Sequence, residues 1–118
     1  MPAKSPQQRL LEAALAFPEA RVDHPWGSTV VKVRGKVFVF LGHPGADFSC
    51  SMKLPETHAA ALMLPFSQPT AYGLGKSGWV TASFAKGDKV PVPLLVEWLR
   101  ESWCAVAPKR LVKSFLER

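Results

Sequence analysis

Little in this sequence points to covalent chemistry or to an oxidising compartment. There are two cysteines, Cys50 and Cys104, and neither sits in a CxxC or CxH spacing. That removes both a disulfide framework and a zinc signature, and it suits a reducing cytoplasm. His24, His43 and His58 stand apart from one another without metal-ligand spacing. No GxSxG elbow, no Ser/His/Asp order and no paired acid cluster occurs, so catalysis has no visible machinery. Gly75-Lys76-Ser77 copies the end of a phosphate-binding loop, but Thr70 stands where the earlier glycine is required. A strand pattern, not a helix, then follows. No apolar run approaches the roughly 18 residues that span a bilayer. Met1 to Ser5 run straight into a polar helix start, which predicts no leader peptide. The absences together predict a cytoplasmic, non-catalytic chain with no metal or cofactor.

Acidic residues are also scarce. Nine Asp and Glu face fifteen Lys and Arg in 118 residues, a net charge of +6. The resulting pI of about 9.7 is part of the electrostatic footprint of a nucleic-acid binder, because a basic surface attracts phosphate polymers. A solvated, merely soluble surface accounts for the same numbers, so the charge has to be placed before it is read. Hydrophobic residues make up 47% of the chain, which is ordinary for a folded domain. The length suits a single domain over 1–118 that buries a core without disulfides.

Local patterns predict the elements. Ser5 is a helix N-cap, with Pro6 in the first turn and Gln8 closing a capping box. Leu10, Leu11, Ala14 and Leu15 recur at helical spacing until Phe17-Pro18. Residues 21–26 read as a short extended segment bent at Pro25. Thr29–Val33 and Lys36–Phe40 are β-branched and aromatic runs around Arg34-Gly35, a hairpin with a tight turn. A loop covers 42–47, and Phe48–Lys53 alternates as a half-buried strand. A second helix is expected from Leu54 through Met63, then a long irregular connection over 65–78, then a strand over Trp79–Phe84. A third helix starts at Pro91 or Pro93 and presents Leu95, Trp98, Leu99 and Trp103 on one face. Pro108 opens a fourth with Leu111, Phe115 and Leu116. Successive strands with short turns predict an antiparallel sheet, flanked by helices on one face: an α+β fold.

Alternation then assigns sides. Phe48, Cys50 and Met52 oppose Ser49, Ser51 and Lys53; Val80, Ala82 and Phe84 oppose Trp79, Thr81 and Ser83. A core-side Cys50 is a buried thiol rather than a nucleophile. A two-residue turn puts Val31, Val33, Phe38 and Phe40 on the core side. Lys32 and Arg34 then share the other side with Val30, Val37 and Val39. Two partner surfaces follow. A nucleic acid, DNA foremost and without sequence preference, would meet Lys32, Arg34, Lys53, Lys76, Lys109, Arg110 and Lys113, with an exposed Trp79 stacking a base. Alternatively, an uncovered Val30, Val37 and Val39 patch would bind a protein or small ligand, or join two copies in a homodimer.

Several segments together resemble the MmcQ/YjbR family. They are His24-Pro25-Trp26-Gly27, the Val31–Phe38 hairpin, Lys53-Leu54, Ala71-Tyr72, Lys76–Thr81, Glu101-Ser102-Trp103 and Pro108-Lys109-Arg110-Leu111. The resemblance runs from about residue 9 to 116 and rests on order and spacing rather than on one motif. It implies a compact α+β fold of the frataxin/CyaY kind and DNA binding through a double-wing arrangement. The chain departs from the family at Trp103-Cys104, where tyrosine is more usual, and in the basic segment 86–89. Frataxin-like iron binding needs a ridge of oxygen ligands, and Glu12, Glu19 and Asp23 are too dispersed for one.

Overall fold

Arg34 and Gly35 both adopt positive φ, 52° and 81°, which is the twist that a two-residue hairpin turn requires. They join β2 (Val30–Val33) to β3 (Lys36–Phe40). The computed structural model describes residues 5–24, 28–42, 48–70, 73–85 and 87–117. Pro25, Trp26, His43, Ala71, Tyr72 and Lys86, and most of the 42–47 loop, lie outside these.

Ahead of the hairpin come α1 (Pro6–Leu15) and β1 (Ala20–Asp23); behind it come β4 (Phe48–Lys53), the single-turn α2 (His58–Ala61) and β5 (Ser67–Pro69). A 3₁₀ turn (Leu74–Ser77), β6 (Trp79–Phe84), α3 (Val92–Val106) and α4 (Lys109–Leu116) complete the chain. The strands form one antiparallel sheet in the order β1-β2-β3-β4-β6-β5. The Ser5 cap holds as expected, its Oγ accepting from Gln8 N at 3.1 Å. The second helix is shorter than its pattern, and β5 pairs with β6 inside the connection expected to be irregular. Ser67-Gln68-Pro69 has no strand composition; the edge position tolerates its proline.

One face of the sheet carries the core. Leu10 and Ala14 of α1 and Leu95, Trp98, Leu99 and Trp103 of α3 pack on Val31, Val33, Phe38, Val39, Met52 and Val80. Phe17 stacks on Trp103 at 5.7 Å, and Phe115 of α4 closes on both rings. The helices therefore flank one face, as expected.

The hairpin departs from strict alternation. Val31 pairs with Val39 but Lys32 pairs with Val37, so β3 carries a bulge with Phe38 as its extra residue. A bulge shifts the phase of everything beyond it. Phe38 and Val39 are both buried in the core, and Phe40 turns to the far face instead. The expected Val30, Val37 and Val39 patch is corrected accordingly: Val39 belongs to the core, and Val30 is fully buried opposite Phe40.

A bulged residue loses its ladder partner, and α3 supplies a substitute. Ser102 Oγ, fully buried, donates to the Phe38 carbonyl and accepts from Lys53 N at 2.9 Å. One hydroxyl thus ties α3 to β3 and to the end of β4.

The far face holds a second, smaller apolar group. The Phe40 and Trp79 rings meet 5.5 Å apart and edge to face. Between their strands, β4 presents Ser51 and Lys53 in register with them, and the small serine leaves the rings room to converge. Trp79 is 8% exposed. The expectation of a water-facing indole is wrong: Trp79 is a packing residue and leaves the candidate interface.

Candidate nucleic-acid interface

The basic residues fall into three separate places. The first is the β1–β2 corner, where both hairpin cations are engaged. Lys32 Nζ donates to Asp23 Oδ2 at 2.8 Å. The Arg34 guanidinium grips Glu19 with two bonds, Nε to Oε1 and a terminal nitrogen to Oε2 at 3.0 Å. Glu19 and Arg34 are the two non-glycine residues with positive φ among the described residues. A fork-on-fork pair between them offsets part of that strain. The Arg34 bond holds the Glu19 carboxyl below its ordinary range, and the Lys32 bond does the same to Asp23. Arg34 moves upward in turn. These cations are neutralised in place. The two acids Glu19 and Asp23, on and just ahead of the neighbouring strand, were the readable signal for it.

The second place is the far face of the sheet. Thr81 Oγ1 lies 2.7 Å from Ser51 Oγ and 2.9 Å from Thr70 Oγ1, a line of three linked hydroxyls across β4, β6 and the end of β5. Ser49 and Ser83 stand opposite each other further along, and Lys53 is half-buried at the other end. Lys76 is exposed on the 3₁₀ turn. In the sequence Thr70 stood out only as the residue in place of a phosphate-loop glycine, since nothing local marks it as a partner of Thr81.

The third place is α4. Leu111, Val112 and Phe115 are half-buried against the core, and Lys109, Arg110 and Lys113 are exposed. The helix is strongly amphipathic, with its four-residue Lys109–Lys113 step covering about 6 Å of axis. Its N-cap is Pro108, which provides no side-chain hydrogen bond, and its first turn contains no acid. Lys109 and Arg110 occupy that turn, where the helix dipole favours negative charge. Among the described residues, Lys53, Lys76, Lys109, Arg110 and Lys113 make no ion pair. Because α4 packs on the helix side through Phe115, it lies across the sheet from Lys53. The seven cations expected on one surface therefore do not converge.

Cys50 is buried, and burial pushes its thiol up to about 12. Cys104, half-buried on α3, is also raised, chiefly by burial. No group of three or more His, Cys, Asp or Glu among the described residues could hold a metal ion. No helix of the described residues is long and apolar enough to cross a membrane.

The sequence matches the YjbR family over residues 15–105. The chain belongs to the YjbR family. Among solved structures, this YjbR chain is similar to a Deinococcus radiodurans protein described by its DUF419 domain. The two share 23% identity at a TM-score of 0.70, covering 88% of this chain and 82% of that one. At that identity the likeness shows the fold. No curated protein matches the sequence. The family match stops at residue 105, so α4 lies beyond it.

Proposed function

We propose that this YjbR-family chain is a non-catalytic cytoplasmic module that binds nucleic acid, DNA foremost, by its phosphate backbone and without reading base sequence. The first turn of α4 carries this reading. Two cations stand at an uncapped helix start, where they oppose the dipole and are offset by no acid. Backbone N–H groups and the dipole at such a terminus attract anions, and a phosphate would satisfy Lys109, Arg110 and those donors together. Lys113, one turn on, takes the neighbouring phosphate. Lys53 and Lys76, across the sheet, add to the long-range attraction and not to the contact. Base stacking has no part, since Trp79 is enclosed.

Fluorescence anisotropy with a mixed-sequence duplex at low salt tests this. Substituting Lys109, Arg110 and Lys113 together with Ala should weaken binding by about ten-fold or more, as contacts of this kind dominate non-specific affinity. The Lys32→Ala/Arg34→Ala pair should weaken it far less, because those cations are already neutralised. Equal losses from the two sets would move the contact to the hairpin, and an α4 variant that binds like the parent would refute the proposal.

A further inference from the structure

Strand β1 closes one edge of the sheet, and no described strand pairs with its outer side. Its four residues, Ala20-Arg21-Val22-Asp23, are mostly exposed, and Val22 is 40% exposed at the centre. Such an edge is a template for another strand, and short length and charge are the usual means of blunting it. Here the charges work differently. Arg21 and Asp23 have opposite signs and flank one apolar residue symmetrically. If a second copy of β1 lay antiparallel to the first with the two-fold axis at Val22, Arg21 would stand opposite Asp23 of the second copy, twice. Val22 would meet its own counterpart at the axis. Shifting the strands to centre on Arg21 or on Asp23 would put like charges opposite each other, which is destabilising. The sequence of β1 thus singles out one self-complementary register.

Within the single chain the arrangement is unbalanced. Arg21 lies in register with Lys32, cation beside cation. Lys32 already holds Asp23 Oδ2, with His24 N bonded to Oδ1. Arg21 already helps hold the Glu19 carboxyl down, but that acid is bonded to Arg34; a second copy would bring Arg21 a further acid and extend the sheet's charge line across the axis. The Glu19–Arg34 clamp beside β1 fixes the corner that the pairing needs.

We infer that β1 is a homotypic docking edge, at which two copies of this chain pair antiparallel about Val22. Four residues per strand make a small interface, in the class that is weak and transient. The dimer is therefore concentration-dependent and weakened by salt. It involves neither α4 nor any nucleic acid, so it stands or falls separately from the function proposed above.

Sedimentation velocity of the protein alone, from micromolar to millimolar, is the test. The parent should shift toward dimer as concentration rises and back toward monomer with added salt. Arg21→Asp should abolish the shift, because it sets acids opposite each other. The charge-swapped double variant Arg21→Asp/Asp23→Arg should restore it, since the dyad makes the reversed pair complementary again. Val22→Cys under mild oxidation should give a covalent dimer, whereas Lys76→Cys should not; this readout survives if the charge variants fold poorly. A parent that stays monomeric to millimolar concentration, or a dimer that Arg21→Asp leaves intact, overturns the inference.

Discussion

Ser102 shows how one side chain carries a departure from regular structure. The bulge at Phe38 strands a carbonyl inside the fold, and the Ser102 hydroxyl satisfies it while also accepting from Lys53 N. Ser102→Ala would leave a buried acceptor and a buried donor without partners. A cost of about 1–3 kcal/mol is expected, read as a lower urea midpoint at unchanged slope. Ser102→Thr keeps the hydroxyl but crowds a site with no exposure, and should rescue only part of the loss. Trp79 belongs at the same scale. Its removal opens a cavity against Phe40, so Trp79→Ala should destabilise by about 3–5 kcal/mol. Nucleic-acid affinity of the folded fraction should stay unchanged. Cys50, with its thiol held at about 12, should react with a thiol reagent at neutral pH only when the protein unfolds. Rapid labelling of the native protein at Cys50 would contradict its burial.

Elements were legible where their signal is local. The Ser5 cap, the Arg34-Gly35 turn and the helical stripe Leu95, Trp98, Leu99, Trp103 are set by neighbours within a few residues, and each is found where its pattern places it. What could not be read depends on distant partners. The bulge at Phe38 is a product of pairing between β2 and β3, and it moved Val39 into the core and Phe40 out of it. Strand β5 exists because β6 offers it an edge. The Lys32 and Arg34 charges, expected at a partner surface, are held by acids nine and fifteen residues away along the chain. Their carboxyl partners define a pH response. Glu19 and Asp23 sit below their ordinary values of 4.5 and 3.8. Their contribution to stability is thus present above those values and is lost as pH falls through the lower folded ones. Both acids are exposed, so the effect is small. Unfolding midpoints between about pH 6 and pH 2.5 should fall less steeply in Lys32→Ala/Arg34→Ala than in the parent. Parallel curves would mean that the two pairs add nothing.

At the scale of the whole molecule, the positive charge is divided rather than massed. The sheet separates Lys53 from α4, and at the β1–β2 corner Lys32 and Arg34 are each paired with an acid. The far face is closed by Phe40 and Trp79 where an open stacking platform was expected. What survives is a helix with two of its three cations, Lys109 and Arg110, at its dipole-disfavoured end, packed onto a YjbR fold by Phe115. Under the proposed function, that helix makes the direct phosphate contacts. The most direct measurement is the slope of log affinity against log salt for duplex binding, compared between the parent and the Lys109→Ala/Arg110→Ala/Lys113→Ala variant. Counterion release makes each lost contact worth about one unit of slope. The variant's slope should therefore be shallower by about two to three units. A parent with a flat salt response, or a variant that keeps the parent's slope, would contradict the account.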